Sequence, residues 1–180
     1  MASKCAKILL TGLPGCGKTT AIMRIVADLG CENVKGFYTQ EIRESGVRKG
    51  FCWKRLDGIE GILSHIDIKG RCRVGRYGVD VAGFERLVVP VLEAGRSGSG
   101  LFIIDEIGKM ECLSERFVGA VRRLFKSDVS ILATVAKKGA GFIAEVKNYR
   151  EAKLFDMTTQ NRDKIAEEIL QNLSFLKQEL

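Results

Sequence analysis

One short segment near the start of the chain restricts its possible folds more than any other feature. Residues 12–20 read GLPGCGKTT and match the pattern G-x-x-x-x-G-K-[ST] without a mismatch. An apolar run over residues 6–10 predicts a strand before the segment, and the helical spacing of apolar residues over 22–29 predicts a helix after it, ending at Gly30. This strand, loop and helix context distinguishes a phosphate-binding loop from a chance match in a glycine-rich turn.

The residue types in this segment suit a chain of phosphates. Glycines let the backbone wrap closely around a ligand, and the wrapped N–H groups form an anion-binding nest with the start of the following helix. Lys18 would place its charge on the β- and γ-phosphates, with a catalytic role, and Thr19 would offer its hydroxyl to Mg²⁺. The predicted nucleotide-binding loop is Gly12, Leu13, Pro14, Gly15, Cys16, Gly17, Lys18 and Thr19.

A second segment supplies carboxylates that suit catalysis beside that loop. Residues 101–104 form an apolar run that predicts a buried strand, and Asp105 and Glu106 follow it directly. Open α/β sheets bind their ligands at the C-terminal ends of the strands. Asp105 is therefore the predicted Mg²⁺ ligand alongside Thr19, and Glu106 is the predicted base that orients or deprotonates water.

The remaining pattern predicts one α/β domain over residues 1–180. Further apolar runs at residues 129–135 and 152–157 alternate with helical periodicity, which favours a three-layer fold with a mostly parallel central sheet. Extended runs at residues 34–43 and 47–56, separated by Glu-Ser-Gly, predict an antiparallel hairpin on one edge of that sheet. Residues 59–68 suggest another strand.

Two smaller features of the pattern lead to further expectations. The glycine- and arginine-rich stretch 69–83 has no clear period, and we expect a loop or a mobile lid there. Pro90 lies inside a helical pattern that begins at Phe84, so this helix is expected to kink or to start later. Asn161 is a plausible cap for the last helix.

Charge and composition constrain the partners. Lys and Arg number 29 against 22 Asp and Glu, which gives a net charge of +7. Binding of nucleic acid is possible but not favoured, because no basic stripe with interleaved aromatic residues is present and attraction of polyanionic nucleotides explains the charge more simply. The six cysteines are scattered, and no apolar run is long enough for a membrane helix. We expect a cytoplasmic monomer with no membrane association.

Several segments together resemble a known family. Besides the phosphate loop, they are residues 36–39 (GFYT), 72–77 (CRVGRY), 84–92 (FERLVVPVL) and 104–111 (IDEIGKME). With these segments the chain resembles, over nearly its whole length, the P-loop nucleoside-triphosphatase family of the cancer-related nucleoside-triphosphatase and its thermophile counterparts.

The resemblance implies a RecA-like fold and Mg²⁺-dependent hydrolysis of ATP, GTP, CTP and UTP, with diphosphates as poorer substrates. It also implies a second nucleotide-contacting segment, which consists of Phe102, Ile103, Ile104, Asp105, Glu106, Ile107, Gly108 and Lys109. Cys16 departs from the aliphatic residue that relatives often carry. If exposed, its thiol would make the loop sensitive to oxidation.

The residues alone leave alternatives open. A small-molecule kinase or a nucleotide-switched RNA-binding module would use the same phosphate loop. The sequence also does not identify an arginine that stabilises charge in the transition state. Arg71, Arg73, Arg76 and Arg162 are all candidates for that role. Lys109, Glu111 and Thr134 are each expected either to assist the site or to have no part in it.

Overall fold

Nine strands join into one sheet in the computed structural model, which describes residues 5–30, 33–95 and 100–178. The strands are β1 (Lys7–Gly12), β2 (Val34–Glu44), β3 (Val47–Arg55), β4 (Glu60–His65), β5 (Arg73–Val74), β6 (Tyr77–Val79), β7 (Leu101–Ile107), β8 (Ser130–Val135) and β9 (Ala152–Met157). The α-helices are α1 (Lys18–Leu29), α2 (Val81–Leu87), α3 (Val89–Glu93), α4 (Glu115–Phe125), α5 (Phe142–Lys147) and α6 (Arg162–Leu173). Two short 3-10 helices cover Glu111–Leu113 and Ser174–Gln178.

Half of the sheet is parallel and contains the apolar strands predicted from the sequence. Its spatial order is β2, β7, β8, β1 and β9, and each neighbouring pair is parallel. Parallel strands end at the same edge of a sheet. The ends of β1, β7 and β8 therefore bring Gly12, Asp105 and Thr134 to one edge.

The other half is an antiparallel wing, which we define as β3, β4, β6 and β5 in that spatial order beyond β2. The predicted hairpin is confirmed as β2 and β3. Its turn has positive φ at Ser45 (47°) and Gly46 (78°), as a two-residue hairpin turn requires. The predicted third strand is present as β4.

The expectation of a loop or mobile lid over residues 69–83 is wrong for its central part. Residues 73–79 form the small hairpin of β5 and β6, and β6 pairs with β4 through Ser64 and Val79. Strands of two and three residues are too short to show a period in the sequence. The hairpin extends the wing, and it brings Tyr77 into a buried position.

Helices cover both faces of the sheet, which confirms the predicted three-layer α/β architecture. α1 and α6 cover one face, through a core that includes Ile22 and Ile169. α2 to α5 contribute to the core on the other face, where Leu92, Val121 and Val146 are buried. No helix in the described ranges is long and apolar enough to cross a membrane.

Helix boundaries agree with most of the helix-start and helix-end signals in the sequence. α1 ends at Gly30 (φ 60°), and the helical pattern around Pro90 is broken, because α2 ends at Leu87 and α3 begins at Val89. Asn161 occupies the N-cap position of α6, but its side chain bonds Thr158 N and Asp156 O instead of capping that helix. α5 has only six residues and was not predicted from the sequence.

A buried lysine ties β1 to the turn that follows α4. Lys7 is 6% exposed, and its Nζ donates to Leu124 O at 3.0 Å, to Ser127 O at 2.7 Å and to Val129 O. These carbonyls lie at and beyond the helix C-terminus, where a cation is stabilised. Burial lowers the pKa of Lys7.

Three phenylalanines join the sheet to α2 and α4. The rings of Phe37 and Phe84 have centroids 5.4 Å apart, and the centroid of the Phe117 ring lies 5.5 Å from that of Phe84.

We expect Phe84→Ala to lower the free energy of unfolding by about 3–5 kcal/mol, because Phe84 is 1% exposed and its removal leaves a cavity. Leu154→Ala at a 42% exposed position should cost less than about 1 kcal/mol. Urea unfolding measures both values, and equal losses would contradict the expectation.

Candidate active site

The phosphate loop connects the end of β1 to the start of α1, and its glycines are needed for two different reasons. Gly17 has φ 98°, a left-handed conformation that favours glycine. Gly12 has no room for a side chain, since an added Cβ would collide with Met157 O of β9 and lie 2.8 Å from Cys16 Sγ. The loop can therefore follow the edge of the sheet closely.

Lys18 lies folded over this loop. Its side chain is buried (8% exposed), and Nζ donates to Gly12 O at 3.2 Å and Leu13 O at 3.3 Å. Both acceptors are neutral carbonyls, so no carboxylate of the described residues neutralises the ammonium by a direct ion pair. The charge is thus available to phosphates in the loop.

Asp105 connects four elements of the site. It is 1% exposed, and it accepts from Thr19 Oγ1 at 2.7 Å, from Thr134 Oγ1 at 2.6 Å and from Thr39 N at 3.5 Å. Burial raises the pKa of Asp105, while the hydrogen bonds from Thr134 and Thr19 act against that rise. Thr134 therefore contacts the carboxylate, and not the open part of the site.

The donor set at this position suits Mg²⁺. Thr19 and Asp105 offer hard oxygen ligands whose atoms lie 2.7 Å apart beside the phosphate loop. Among the described residues no group of three or more His, Cys, Asp or Glu could hold a metal by itself. Mg²⁺ typically uses one or two protein oxygens and completes its shell with substrate phosphates and water, so the residues present fit this ion.

The loop opens into a cavity of about 490 Å³, here called the phosphate cavity. It lies between the loop and the β2–β3 hairpin. Its lining consists of Pro14, Gly15, Gly17, Lys18, Thr19, Thr20, Thr39, Gln40, Glu41, Arg48, Phe51 and Glu106. Within this lining the positive charges are Lys18 and Arg48, and the negative charges are Glu41 and Glu106.

Glu106 presents a free carboxylate to the phosphate cavity. No side-chain hydrogen bond or ion pair to it is found within the part of the chain that the structure describes. Burial raises its pKa, with a smaller contribution from the negative charge of Asp105, while Lys18 acts in the opposite direction. A free carboxylate with a raised pKa is a stronger base than an ordinary glutamate, which suits the predicted role.

Glu106 also lines a second cavity of about 270 Å³, here called the outer cavity. This cavity adjoins the phosphate cavity at Thr39, Phe51 and Glu106, and it has a largely apolar wall with two lysines. Its lining consists of Thr39, Phe51, Leu63, Val74, Glu106, Lys109, Met110, Glu111, Ala136 and Lys138.

Glu111 lies against Glu106 across Gly108. A Cβ at Gly108 would lie 2.8 Å from Glu106 Oε1 and 2.9 Å from Glu111 Oε2. Burial raises the pKa of Glu111 to about 8, and the charges of Glu106 and Asp105 act in the same direction. The raised pKa favours the neutral form of Glu111 at pH 7.

Most of the predicted second contact segment supports the site from inside the core. The side chains of Phe102, Ile103, Ile104 and Ile107 are buried in the two cores, where they fix the strand that carries Asp105 and Glu106. Gly108 lies between the two glutamates. Lys109 is exposed and lines the outer cavity.

The arginine candidates lie apart from the phosphate cavity. Arg73 donates to Ile68 O and Arg76 O, and Arg76 donates to Arg48 O and Tyr77 Oη. Arg71 is exposed and lines neither the phosphate cavity nor the outer cavity.

Arg162 occupies a third cavity of about 200 Å³, here called the α1–α6 cavity. Its side chain lies against the loop, since a Cβ at Gly17 would be 3.7 Å from Arg162 Cδ. Gly17 and Thr20 line both this cavity and the phosphate cavity. The full lining is Gly17, Thr20, Ala21, Arg24, Arg162, Asp163 and Ala166.

The structure adds one residue to the site and changes one expectation from the sequence. Arg48, which the sequence analysis did not single out, lines the phosphate cavity, and its position depends on the register of a hairpin that no local motif encodes. Cys16 is buried (6% exposed) beside Gly12, so the exposure on which oxidation sensitivity depends is not present.

The raised pKa of Glu111 leads to a pH-dependent prediction. A carboxyl whose pKa is higher in the folded state stabilises that state at low pH, and the benefit is lost as pH rises from its ordinary value of 4.5 to about 8. The loss is about 1.4 kcal/mol for each pH unit inside that window. Gln mimics the neutral acid at every pH, so Glu111→Gln should match wild type near pH 4.5 and be more stable at pH 8, by about 10–20 °C in Tm.

The measurement is thermal unfolding across this pH range without Mg²⁺ or nucleotide. Glu167→Gln, at an exposed position on α6, is the matched control and should follow the wild-type curve. Parallel curves for wild type and Glu111→Gln would show that Glu111 is charged at neutral pH.

Comparisons with known proteins agree with this fold. A family model described as NTPase matches residues 7–170. The nucleoside-triphosphatase THEP1 of Thermotoga sp. (strain RQ2) is 43% identical over 169 residues, covering 94% of this chain and 96% of that protein. The human cancer-related nucleoside-triphosphatase is 38% identical over 178 residues, covering 91% of this chain and 94% of its own length.

A solved structure shows the same fold. The crystal structure of THEP1 from the hyperthermophile Aquifex aeolicus superposes with a TM-score of 0.82 at 36% identity, covering 92% of this chain and 97% of that one. The match over residues 7–170 includes both the phosphate loop and the strand that carries Asp105 and Glu106. On these grounds the chain belongs to the NTPase family.

Proposed function

We propose that this protein hydrolyses nucleoside triphosphates, among them ATP, GTP, CTP and UTP, to the diphosphate and phosphate in a Mg²⁺-dependent reaction. The observation that carries the proposal is the free Glu106 carboxylate, which faces the same cavity as Lys18 and the phosphate loop. The names of the relatives support hydrolysis.

The residues of the site divide the reaction between them. The loop amides and Lys18 hold the β- and γ-phosphates, and Glu106 orients a water molecule in the phosphate cavity and accepts its proton. The water oxygen bonds to the γ-phosphorus while the bond from that phosphorus to the β,γ-bridging oxygen breaks, so the bridging oxygen leaves with the diphosphate. Positioning and charge stabilisation supply most of the rate enhancement in this class of reaction.

Thr19 and Asp105 would hold the Mg²⁺ ion, and Thr134 and Thr39 N fix the orientation of the Asp105 carboxylate. The ion when bound would neutralise charge on the β- and γ-phosphates. A diphosphate lacks the γ-phosphate on which these groups converge, and this supports the proposal that diphosphates are poorer substrates.

Broad base specificity is part of the proposal. The α1–α6 cavity shares Gly17 and Thr20 with the phosphate cavity, so a nucleotide whose phosphates fill the loop can extend past Thr20 toward Arg162. The cavity lining offers two guanidinium groups and one carboxylate but no aromatic ring. A guanidinium can stack on the face of any base, and so Arg162 would hold the base without discriminating between bases.

One observation supports a second candidate function. The outer cavity adjoins Glu106 and has room for a small molecule, which in a kinase would receive the γ-phosphoryl group instead of water. Analysis of the products of ATP turnover distinguishes the two, because a kinase forms a phosphorylated acceptor and little free phosphate. The net charge is the sole basis for an RNA-binding module, and no described surface supports it further.

A cytoplasmic location is proposed as well. Cys5, Cys16, Cys52, Cys72 and Cys112 are free thiols in the structure. Free thiols of this number are typical of a reducing compartment.

The role of Glu106 predicts the effect of one conservative substitution. Glu106→Gln removes the proton acceptor and keeps the side-chain size, so kcat for phosphate release should fall by about 10²–10⁴-fold, the usual contribution of a general base. Affinity for nucleotide should remain close to that of wild type, because the loop is unchanged. Phosphate release from a panel of triphosphates, with and without Mg²⁺, measures the first quantity, and nucleotide titration measures the second.

Glu167→Gln is the matched control for the same chemical change on the surface. Hydrolysis by Glu106→Gln at the wild-type rate would exclude Glu106 as the base. Equal rates for wild type with Mg²⁺ and with a chelator would reject the dependence on the ion.

The proposed place of the base leads to a separate test. Arg162→Ala should raise KM for ATP and for GTP alike, by about tenfold, because a stacked guanidinium contributes roughly 1–2 kcal/mol. The inhibition constant of inorganic tripolyphosphate should not change, since this molecule occupies the phosphate loop alone. Lys164→Ala on the same helix is the control, and an equal loss of affinity for tripolyphosphate and ATP would contradict the assignment.

A further inference from the structure

The phosphate cavity has a second cation whose task the mechanism above does not assign. Of the described residues that line it, Lys18 belongs to the phosphate loop and Arg48 belongs to the antiparallel wing, on β3. The β2–β3 register places Arg48 opposite Arg43, just after the turn of the hairpin. The two charges therefore reach the cavity from different elements.

Arg48 is held in place by a set of side chains around its guanidinium. Arg48 Nη1 donates to Glu41 Oε1 at 2.7 Å, and Nε donates to Tyr77 Oη at 3.1 Å. The guanidinium carbon lies 5.2 Å from the centroid of the Phe51 ring. Arg76 donates to Arg48 O at 2.7 Å and to Tyr77 Oη at 3.1 Å, so the small hairpin of β5 and β6 supports this arrangement from behind.

The contact with Glu41 is weak enough to be exchanged. The side chains of Arg48 and Glu41 are 39% and 35% exposed. Ion pairs with this exposure contribute about 0.2–1 kcal/mol, because water screens the charges. A triphosphate carries several negative charges and offers guanidinium-binding oxygens, so it competes well for Arg48 once it occupies the same cavity.

The other arginines of the wing are committed to structural bonds. Arg73 and Arg76 bond backbone carbonyls and Tyr77, Arg55 bonds Asp57 and Leu87 O, and none of the three lines the phosphate cavity. Arg43, which lies on β2 outside the wing, also pairs with Glu41 but does not line the cavity. Arg48 is thus the arginine of the described wing that lines the phosphate cavity, and its exposed ion pair with Glu41 can be exchanged for a phosphate while its hydrogen bond to Tyr77 is kept.

We propose that Arg48 is a catalytic residue that leaves Glu41 when a nucleoside triphosphate binds and contacts the γ-phosphoryl group during its transfer to water. The proposal rests on the proposed hydrolysis. The guanidinium would stabilise charge on the equatorial oxygens of that group, with no proton transferred to or from arginine. The protein would then supply within its own chain the positive charge that some switch GTPases receive from a partner protein.

The first test measures steady-state hydrolysis of ATP by Arg48→Ala, Arg48→Lys and Arg43→Ala. Arg48→Ala should lower kcat about 10²-fold or more, the typical cost of removing one preorganised transition-state contact, while KM changes only a few-fold. Arg48→Lys should recover part of the loss in kcat, because lysine keeps the charge but cannot form the bidentate hydrogen bonds of a guanidinium. Arg43→Ala, which removes the other partner of Glu41, should behave like wild type.

The second test uses a mimic of the transferring group. With Mg²⁺ and aluminium fluoride, wild type should bind ADP at least tenfold more tightly than without fluoride. Arg48→Ala should bind ADP alone normally and lose this enhancement, whereas a merely structural role would weaken binding of ADP alone as well. Glu41→Gln, which removes the ion pair that holds Arg48, should keep kcat and lower KM. This variant tests the exchange even if Arg48→Ala folds poorly.

The results separate this proposal from the one on which it rests. Absence of hydrolysis by wild type would reject the proposed function itself. Hydrolysis by wild type, with Arg48→Ala equal to it in kcat and in the fluoride-dependent binding of ADP, would overturn the assignment of Arg48 and leave the hydrolysis intact.

Discussion

The buried carboxylate of Asp105 is the interaction on which the geometry of the site depends. A charge with 1% exposure is costly unless donors replace the lost water, and here Thr19, Thr134 and Thr39 N supply them. These donors belong to α1, β8 and β2, while Asp105 itself lies on β7. The need to satisfy one carboxylate therefore fixes the start of the loop helix against three strands. The same oxygens are those that would hold Mg²⁺, so the position of the ion and the packing of the sheet are determined together.

The antiparallel wing completes the site from the opposite side. β2 pairs with β7 over residues 34–37 and with β3 over residues 37–44, so its second half extends past the parallel sheet. This extension carries Thr39 and Glu41, and β3 adds Arg48 and Phe51 to the same wall. The phosphate loop alone is an open surface. The wing converts it into a cavity of about 490 Å³, in which electrostatic interactions are stronger because less water is present.

The parts of the site that the sequence predicts are those encoded within a few consecutive residues. The phosphate loop and the pair Asp105 and Glu106 each follow a strand directly, so local pattern was sufficient to place both at one edge of the sheet. Thr39 and Arg48 reach the site through strand pairing, and a one-residue shift of register would turn their side chains away. The hairpin of β5 and β6 escaped prediction for a related reason, since its two- and three-residue strands are stabilised by pairing with β4. Features that depend on pairing between distant residues were therefore not predicted. The β2–β3 hairpin is the exception, because the turn signal at residues 44–46 indicated it.

Three carboxyl groups lie close together in this site, and their environments give them different roles. Asp105 receives hydrogen bonds from two hydroxyls and one amide, which compensate a negative charge. Glu111 has burial and two negative neighbours acting in one direction, so it is the group that stays protonated. A neutral Glu111 adds no repulsion to Glu106, which can then lose its own proton beside Asp105. Like charges that lie close together rarely ionise together, and protonation of Glu111 is the least costly solution, because no side-chain hydrogen bond within the described residues compensates its charge. The apolar packing around Glu111 thus contributes to the chemistry, because it determines which of the three carboxyls remains available as a base.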